Sequence, residues 1–163
     1  IGSLAAAAAT EEELNRHFTV HPEGKLVVDV DFGSIAVTTH ETDEVVVDVW
    51  RKVTRRNKAD EEKFLKDRPV TLSQDGNTVT VRSRRKGAGG WPSGRRTRTE
   101  AKYTIAVPAQ FNARLKTSAG GIAVSNLVGE VRANPSGGGL RFARLRGPLD
   151  GETSGGGIHL KTR

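Results

Sequence analysis

Apolar residues recur at every second position in short runs along most of this chain. Near its end the runs themselves recur at a fixed interval. Ile122 and Val124, Leu140 and Phe142, and Ile158 and Leu160 are pairs two residues apart, so each pair points to one face of a strand. Each pair follows the one before by 18 residues, and so do the phrases that introduce them: Thr117-Ser118-Ala119-Gly120-Gly121, Pro135-Ser136-Gly137-Gly138-Gly139 and Thr153-Ser154-Gly155-Gly156-Gly157. Leu127/Leu145, Gly129/Gly147 and Val131/Leu149 keep the same interval without insertion or deletion. Gly and Ser cluster between the strands, where a corner needs residues that tolerate positive φ. The pattern predicts equal coils stacked in parallel about 4.8 Å apart, each apolar column forming an internal ladder. The expected fold class is therefore all-β: a single-stranded β-solenoid, or β-helix, with parallel stacked coils of 18 residues in the C-terminal part. The alternative, an antiparallel sandwich with Gly-rich turns, gives the same alternation but no reason for a constant interval.

The N-terminal part reads as less regular β structure with one short helix. Leu26 to Phe32 and Gly33-Ser34-Ile35-Ala36-Val37 read as strand, corner, strand, and the second phrase echoes Gly120-Gly121-Ile122-Ala123-Val124. Val45 to Val53 alternates Val45, Val47 and Val49 against Asp48, Trp50 and Lys52, a strong strand signal. Residues 57–67 depart from this: Asn57 can cap, Asp60, Glu61 and Glu62 suit a first helical turn, and Pro69 stops the run. Gln74-Asp75-Gly76-Asn77 joins two short strands as a hairpin. Ala101 to Val107 is a further strand, ended by Pro108. The implied organisation is a segment 1–17 ahead of one solenoid domain 18–163. That domain divides into irregular coils 18–108, with the helix 57–67 and a basic loop 82–98, and regular repeats 109–163. A stack ending at Leu160 would expose its last ladder, so the native chain is expected to continue past Arg163.

Composition changes this picture in three places. The chain has no Cys and hence no disulfide framework or thiolate metal site, and no Met. Residues 1–17 hold Ala5 to Ala9 before Glu11-Glu12-Glu13, which reads as the small-residue end of a secretory signal, or else a linker. The signal-like reading makes an exported location the expectation (periplasm, cell surface or secreted), and no apolar run approaches transmembrane length. The net charge of +7 is concentrated. Residues 82–98 hold Arg82, Arg84, Arg85, Lys86, Arg95, Arg96 and Arg98 around Trp91 with no acid, while the remaining 19 basic residues balance the 19 acidic ones.

The residues suggest no catalytic chemistry. Glu130, Asp150 and Glu152, the acids of 109–163, occupy three different columns of the repeat and form no acid/base pair. A calcium-binding nonapeptide needs Asp where the chain has Leu140-Arg141-Phe142. The Ser118/Ser136/Ser154 column has no His or Asp in register to activate it and reads as corner hydroxyls. His17, His21, His40 and His159 lack ligand spacing, and no phosphate-binding loop is present. No catalytic, cofactor or metal residue is therefore expected. The candidate anion-binding residues are Arg82, Arg84, Arg85, Lys86, Trp91, Arg95, Arg96 and Arg98, whose cations could hold a polyanion while the indole stacks on a sugar or base. A solvated hairpin tip is the plain alternative.

With these residues in view, the chain resembles the bacterial putative-adhesin family of exported β-strand-repeat proteins, a group of unestablished function. The resemblance rests on Gly33-Ser34-Ile35-Ala36-Val37, Asp75-Gly76-Asn77-Thr78-Val79, Tyr103-Thr104-Ile105-Ala106-Val107-Pro108 and Leu115-Lys116-Thr117-Ser118, and covers roughly residues 18–163. These motifs are architectural. The resemblance implies a noncatalytic, adhesin-like surface or interaction module of the cell envelope, with envelope polysaccharide or another surface protein as partner and no cofactor. The second expectation is an anion-binding protein that recognises envelope polymer, acidic glycan or, less favoured, nucleic acid through the Arg-rich loop 82–98.

Overall fold

The structure, a computed structural model, describes residues 9–83, 98–135, 138–153 and 156–161. The strands are β1 (Thr10–Thr19), β2 (Gly24–Val30), β3 (Ser34–His40) and β4 (Glu44–Thr54), followed by the helix α1 (Lys58–Asp67). Then come β5 (Thr71–Asp75), β6 (Thr78–Ser83), β7 (Arg98–Pro108), β8 (Phe111–Thr117), β9 (Ile122–Ser125), β10 (Val131–Pro135), β11 (Leu140–Ala143), β12 (Leu149–Gly151) and β13 (Ile158–Lys161). They form a seven-stranded sheet in the order β1-β4-β7-β3-β9-β11-β13 and a six-stranded sheet in the order β12-β10-β8-β2-β6-β5. The inward residues of both sheets join one apolar core, with Leu26, Val28, Ala113, Leu115 and Val131 from one and Ile35, Val37, Ile122, Val124 and Leu140 from the other.

This architecture corrects the expected single-stranded β-solenoid. Both sheets are mixed: β1–β4, β4–β7 and β5–β6 pair antiparallel, and the other ladders are parallel. In a solenoid each coil stacks on the coil that precedes it in sequence. Here β8 and β9 stack on β2 and β3, far back in the chain, and not on β7, which lies across β3 from β9. The connection between β3 and β4 explains much of this. Residues 41–43 are too few for the crossover of a dozen or more residues that a parallel return in one sheet requires, so β4 runs back antiparallel and β7 fills the space between. The 18-residue interval is nevertheless visible as register: Ile122, Leu140 and Ile158 lie in one row, and Val131 pairs with Leu149.

The chain also enters the fold earlier than the segment 1–17 implied. Thr10–Thr19 is a ten-residue edge strand paired along its whole length with β4. Its acidic run is consistent with an edge position, since charge on an exposed edge discourages pairing with another chain. The helix closes one end of the core. Asn57 caps it, its side-chain oxygen accepting from the Asp60 amide at 2.8 Å, and Phe64 and Leu65 are buried. At the opposite end the sheets finish on β12 and β13, and the core columns come to the surface: Ile158 is 55% exposed and Leu160 60%.

Candidate functional site

Two polar constellations stand out, one buried and one on the surface. The buried one lies under the helix. Arg51, fully buried on β4, donates from Nε and Nη2 to Glu12 Oε1 at 2.8 and 2.6 Å and from Nη1 to the Arg68 carbonyl at 2.5 Å. Glu61, also fully buried, accepts from the Thr10 hydroxyl at 2.8 Å and the Arg55 amide at 2.9 Å. The guanidinium carbons of Arg55 and Arg68 stand 4.2 and 4.0 Å from the centre of the Phe64 ring. These contacts tie β4 to β1 and to the segment after the helix, and tie the helix to Thr10 and Arg55. The cluster fastens β1 and α1 to the core.

Tyr103 closes the same region from β7. Burial pushes its phenol above the ordinary range, opposed by Ser83 and by the charge on Arg51. Ser83 directs its own hydroxyl to the Arg68 carbonyl at 3.4 Å, and the Tyr103 oxygen makes no hydrogen bond of normal geometry.

The surface constellation is the outer face of the six-stranded sheet. Alternation sends Lys25 of β2, Arg114 and Lys116 of β8, Arg132 and Asn134 of β10 and Arg82 of β6 outward, because Leu26, Val28, Ala113, Leu115, Val131 and Ala133 take the core positions. Register then assembles them. Arg132 pairs with Arg114, Asn134 with Lys116, and Asp29 lies between Lys116 and Arg82. Arg132 donates to Glu130 at 3.0 Å, and Asp150 is its register partner on β12. Lys25, Asn112, Arg114, Glu130 and Arg132 line a shallow depression. Asn112 is committed to the backbone, donating to the Gly24 carbonyl at 3.1 Å and accepting from the Glu130 amide at 2.9 Å. It fixes the corner beside the basic residues. Like charges directly opposite on neighbouring strands repel, so Arg114 facing Arg132 is an arrangement that folding alone does not favour.

Of the residues named from the sequence as anion-binding, Arg82 is exposed at the end of β6 on this same face. Arg98 opens β7 in the other sheet. Arg84, Arg85, Lys86, Trp91, Arg95 and Arg96 lie outside the described residues. Among the described residues no group of three His, Cys, Asp or Glu side chains is placed to hold a metal ion. No described helix is long and apolar enough to cross a membrane.

No protein-family model and no curated protein matches the sequence. Solved structures do. A putative cell adhesion protein from Clostridium sporogenes is similar over 93% of this chain and 99% of its own, at 8% identity and a TM-score of 0.49. A putative adhesin from Bacteroides fragilis is similar over 91% and 97%, at 10% identity and a TM-score of 0.30. Another from Parabacteroides distasonis is similar over 92% and 65%, at 16% identity and a TM-score of 0.33. Proteins of the adhesin type read from the sequence thus recur among these structures. At such identities and TM-scores the likeness assigns this chain no fold, activity, ligand or partner.

The basic sheet face was missed in the sequence for a physical reason. Arg114 and Arg132 do stand at the 18-residue interval, but as single polar residues in alternating strands they drew no notice, and only pairing register brings Lys25 and Lys116 onto the same face. The buried Arg51–Glu12 pair had a faint signal, the period-two placement of Thr10, Glu12 and Leu14, which the acidic run obscured.

Proposed function

We propose that the protein is a noncatalytic interaction module of the bacterial cell envelope, exported and adhesin-like in role. The observation that carries this reading is the outer face of the six-stranded sheet, where exposed charged side chains are fixed on a hydrogen-bonded ladder around an open, shallow depression. Such a face can hold a partner by complementary charge, but it does not enclose a substrate away from water as a reaction site would. The charged groups that are buried are spent on fastening β1 and α1 to the core.

The test pairs retention with turnover. Purified protein is incubated with intact bacterial cells and with acidic and neutral envelope polysaccharides, and bound protein and released reducing ends are both measured. Reversible, salt-sensitive retention without product is expected. Multiple-turnover release of product from any of these polymers overturns the reading.

A second reading places anion binding in the Arg-rich loop 82–98. The position of Arg82 favours it, since this first residue of the stretch stands exposed on the basic face. Replacing the seven loop cations with Gln and Ser should then abolish polyanion binding; unchanged binding removes the loop from the mechanism.

A further inference from the structure

We infer that the outer face of the six-stranded sheet is a binding site for a linear acidic polysaccharide, held on Arg132, Arg114, Lys116 and Lys25. This names the partner chemistry of the interaction module and rests on that reading only in taking this face as its contact surface.

Three observations converge on it. Arg114 and Arg132 are in register on adjacent parallel strands, so their backbones are about 4.8 Å apart and both guanidinium groups project from one surface. Lys116 follows Arg114 two residues on along the same face, and Lys25 stands opposite Asn112 at the other end of the depression. The four cations therefore form a short two-dimensional array. Second, the acids nearby do not neutralise it. Glu130 pairs with Arg132, Asp150 is the register partner of Arg132 at the β12 edge, and Asp29 lies between Lys116 and Arg82; even so, Arg114, Lys116 and Lys25 have no ion-pair partner within 4 Å among the described residues. A like-charge pair without a bridging carboxylate costs stability, and sites that break a local rule in this way are where function is expected. An anion placed between Arg114 and Arg132 removes that cost.

Third, the remaining chemistry of the face selects the polymer. Arginine forks match planar or multi-oxygen anions, and the exposed Asn134 amide and half-buried Thr80 hydroxyl can hydrogen-bond sugar hydroxyls. The outward positions of β2, β8 and β10 carry no aromatic ring on which a base could stack, and such stacking supplies much of the affinity for single-stranded nucleic acid. The face suits a chain of sugars bearing carboxylate or sulfate groups.

Binding is measured by calorimetry or by retention on immobilised polygalacturonate, dextran sulfate, neutral dextran and single-stranded poly(dT). The parent is expected to bind polygalacturonate or dextran sulfate in a salt-dependent manner and to ignore neutral dextran; whichever polymer binds identifies the anionic group. The double variant R114Q/R132Q should bind at least ~10-fold more weakly. R141Q on the other sheet should bind like the parent. Because R114Q removes a like-charge contact, its melting temperature should equal or exceed that of the parent while its affinity falls, an opposition that general destabilisation cannot produce. Parent affinity retained in R114Q/R132Q, loss confined to the loop-cation variant, preference for poly(dT), or absence of binding by the parent each overturns the inference. Product release with the R114Q/R132Q effect intact would overturn only the noncatalytic reading.

Discussion

Removing the Glu12 carboxylate should loosen the fold through an arginine that has nowhere else to go. Arg51 is fully buried, and two of its three recorded bonds go to Glu12 Oε1. In Glu12→Ala the guanidinium keeps only the Arg68 carbonyl. Breaking a fully buried pair from one side costs about 3–5 kcal/mol. The Glu12 side chain is 33% exposed, so solvent screening lowers the figure to about 2–3 kcal/mol. For a chain of this length that corresponds to a melting temperature lower by about 5–10 °C. Glu12→Gln keeps an acceptor oxygen and should lose only about 1 kcal/mol. Glu12→Leu combined with Arg51→Met removes both charges and should return to within about 1 kcal/mol of the parent. Thermal and urea unfolding followed by far-UV circular dichroism gives the stabilities, and hydrogen exchange reports whether the β1 amides open first. The reasoning fails if Glu12→Ala melts within about 1 °C of the parent, or if the double variant is less stable than the single one.

Three further outcomes follow from the same packing. Gly147 has φ +121°, and a Cβ there would lie 2.4 Å from the Gly129 carbonyl oxygen, so Gly147→Ala should cost at least ~2 kcal/mol, whereas Gly76→Ala, with φ +59° and open space around it, should cost about 1 kcal/mol; denaturant unfolding compares the two. Because burial raises the folded-state pKa of Tyr103 above its unfolded value, its contribution is fully present below the unfolded pKa of about 10 and is lost as pH rises through the folded value; Tyr103→Phe should remove this alkaline loss from a stability–pH profile. Ile158→Lys/Leu160→Lys should weaken concentration-dependent self-association in sedimentation velocity, since both apolar side chains are exposed on the unpaired edge strand β13; equal association in the double variant would show that this edge takes no part.

The sequence displayed faces well and neighbours poorly. Alternation in Val45–Val53 and in the pairs Ile122/Val124 and Leu140/Phe142 correctly divides inward from outward residues, because each strand carries that information in its own side chains, whereas the pair Ile158/Leu160 is exposed. The helix was equally legible, since Asn57 and the acidic first turn are local signals. Which strand lies beside which is a long-range property, and a constant interval says only that segments of equal length can stack. Reading that interval as stacked coils led to the solenoid expectation, which fails where β4 enters antiparallel to β7, a strand that itself runs parallel to β3.

One long-range clue was nevertheless present. The phrase Gly33-Ser34-Ile35-Ala36-Val37 echoes Gly120-Gly121-Ile122-Ala123-Val124, and the fold sets them side by side, with Ile35 against Ile122, Ala36 against Ala123 and Val37 against Val124. Their similarity has a packing cause. Two strands adjacent in a parallel sheet meet the same core depth and the same corner, so they favour the same residues at each position. The corner is tight: a Cβ on Gly120 would lie 2.2 Å from the Gly33 carbonyl oxygen, which excludes any larger residue at a φ of +128°. An echo between distant segments is therefore better evidence of adjacency than is their distance along the chain. Applied to the outer face, the same logic divides the basic array: Arg114 and Arg132 keep the 18-residue interval and so echo their adjacency, whereas Lys25, at an outward position that shares no packing constraint with them, leaves no echo for the sequence to display.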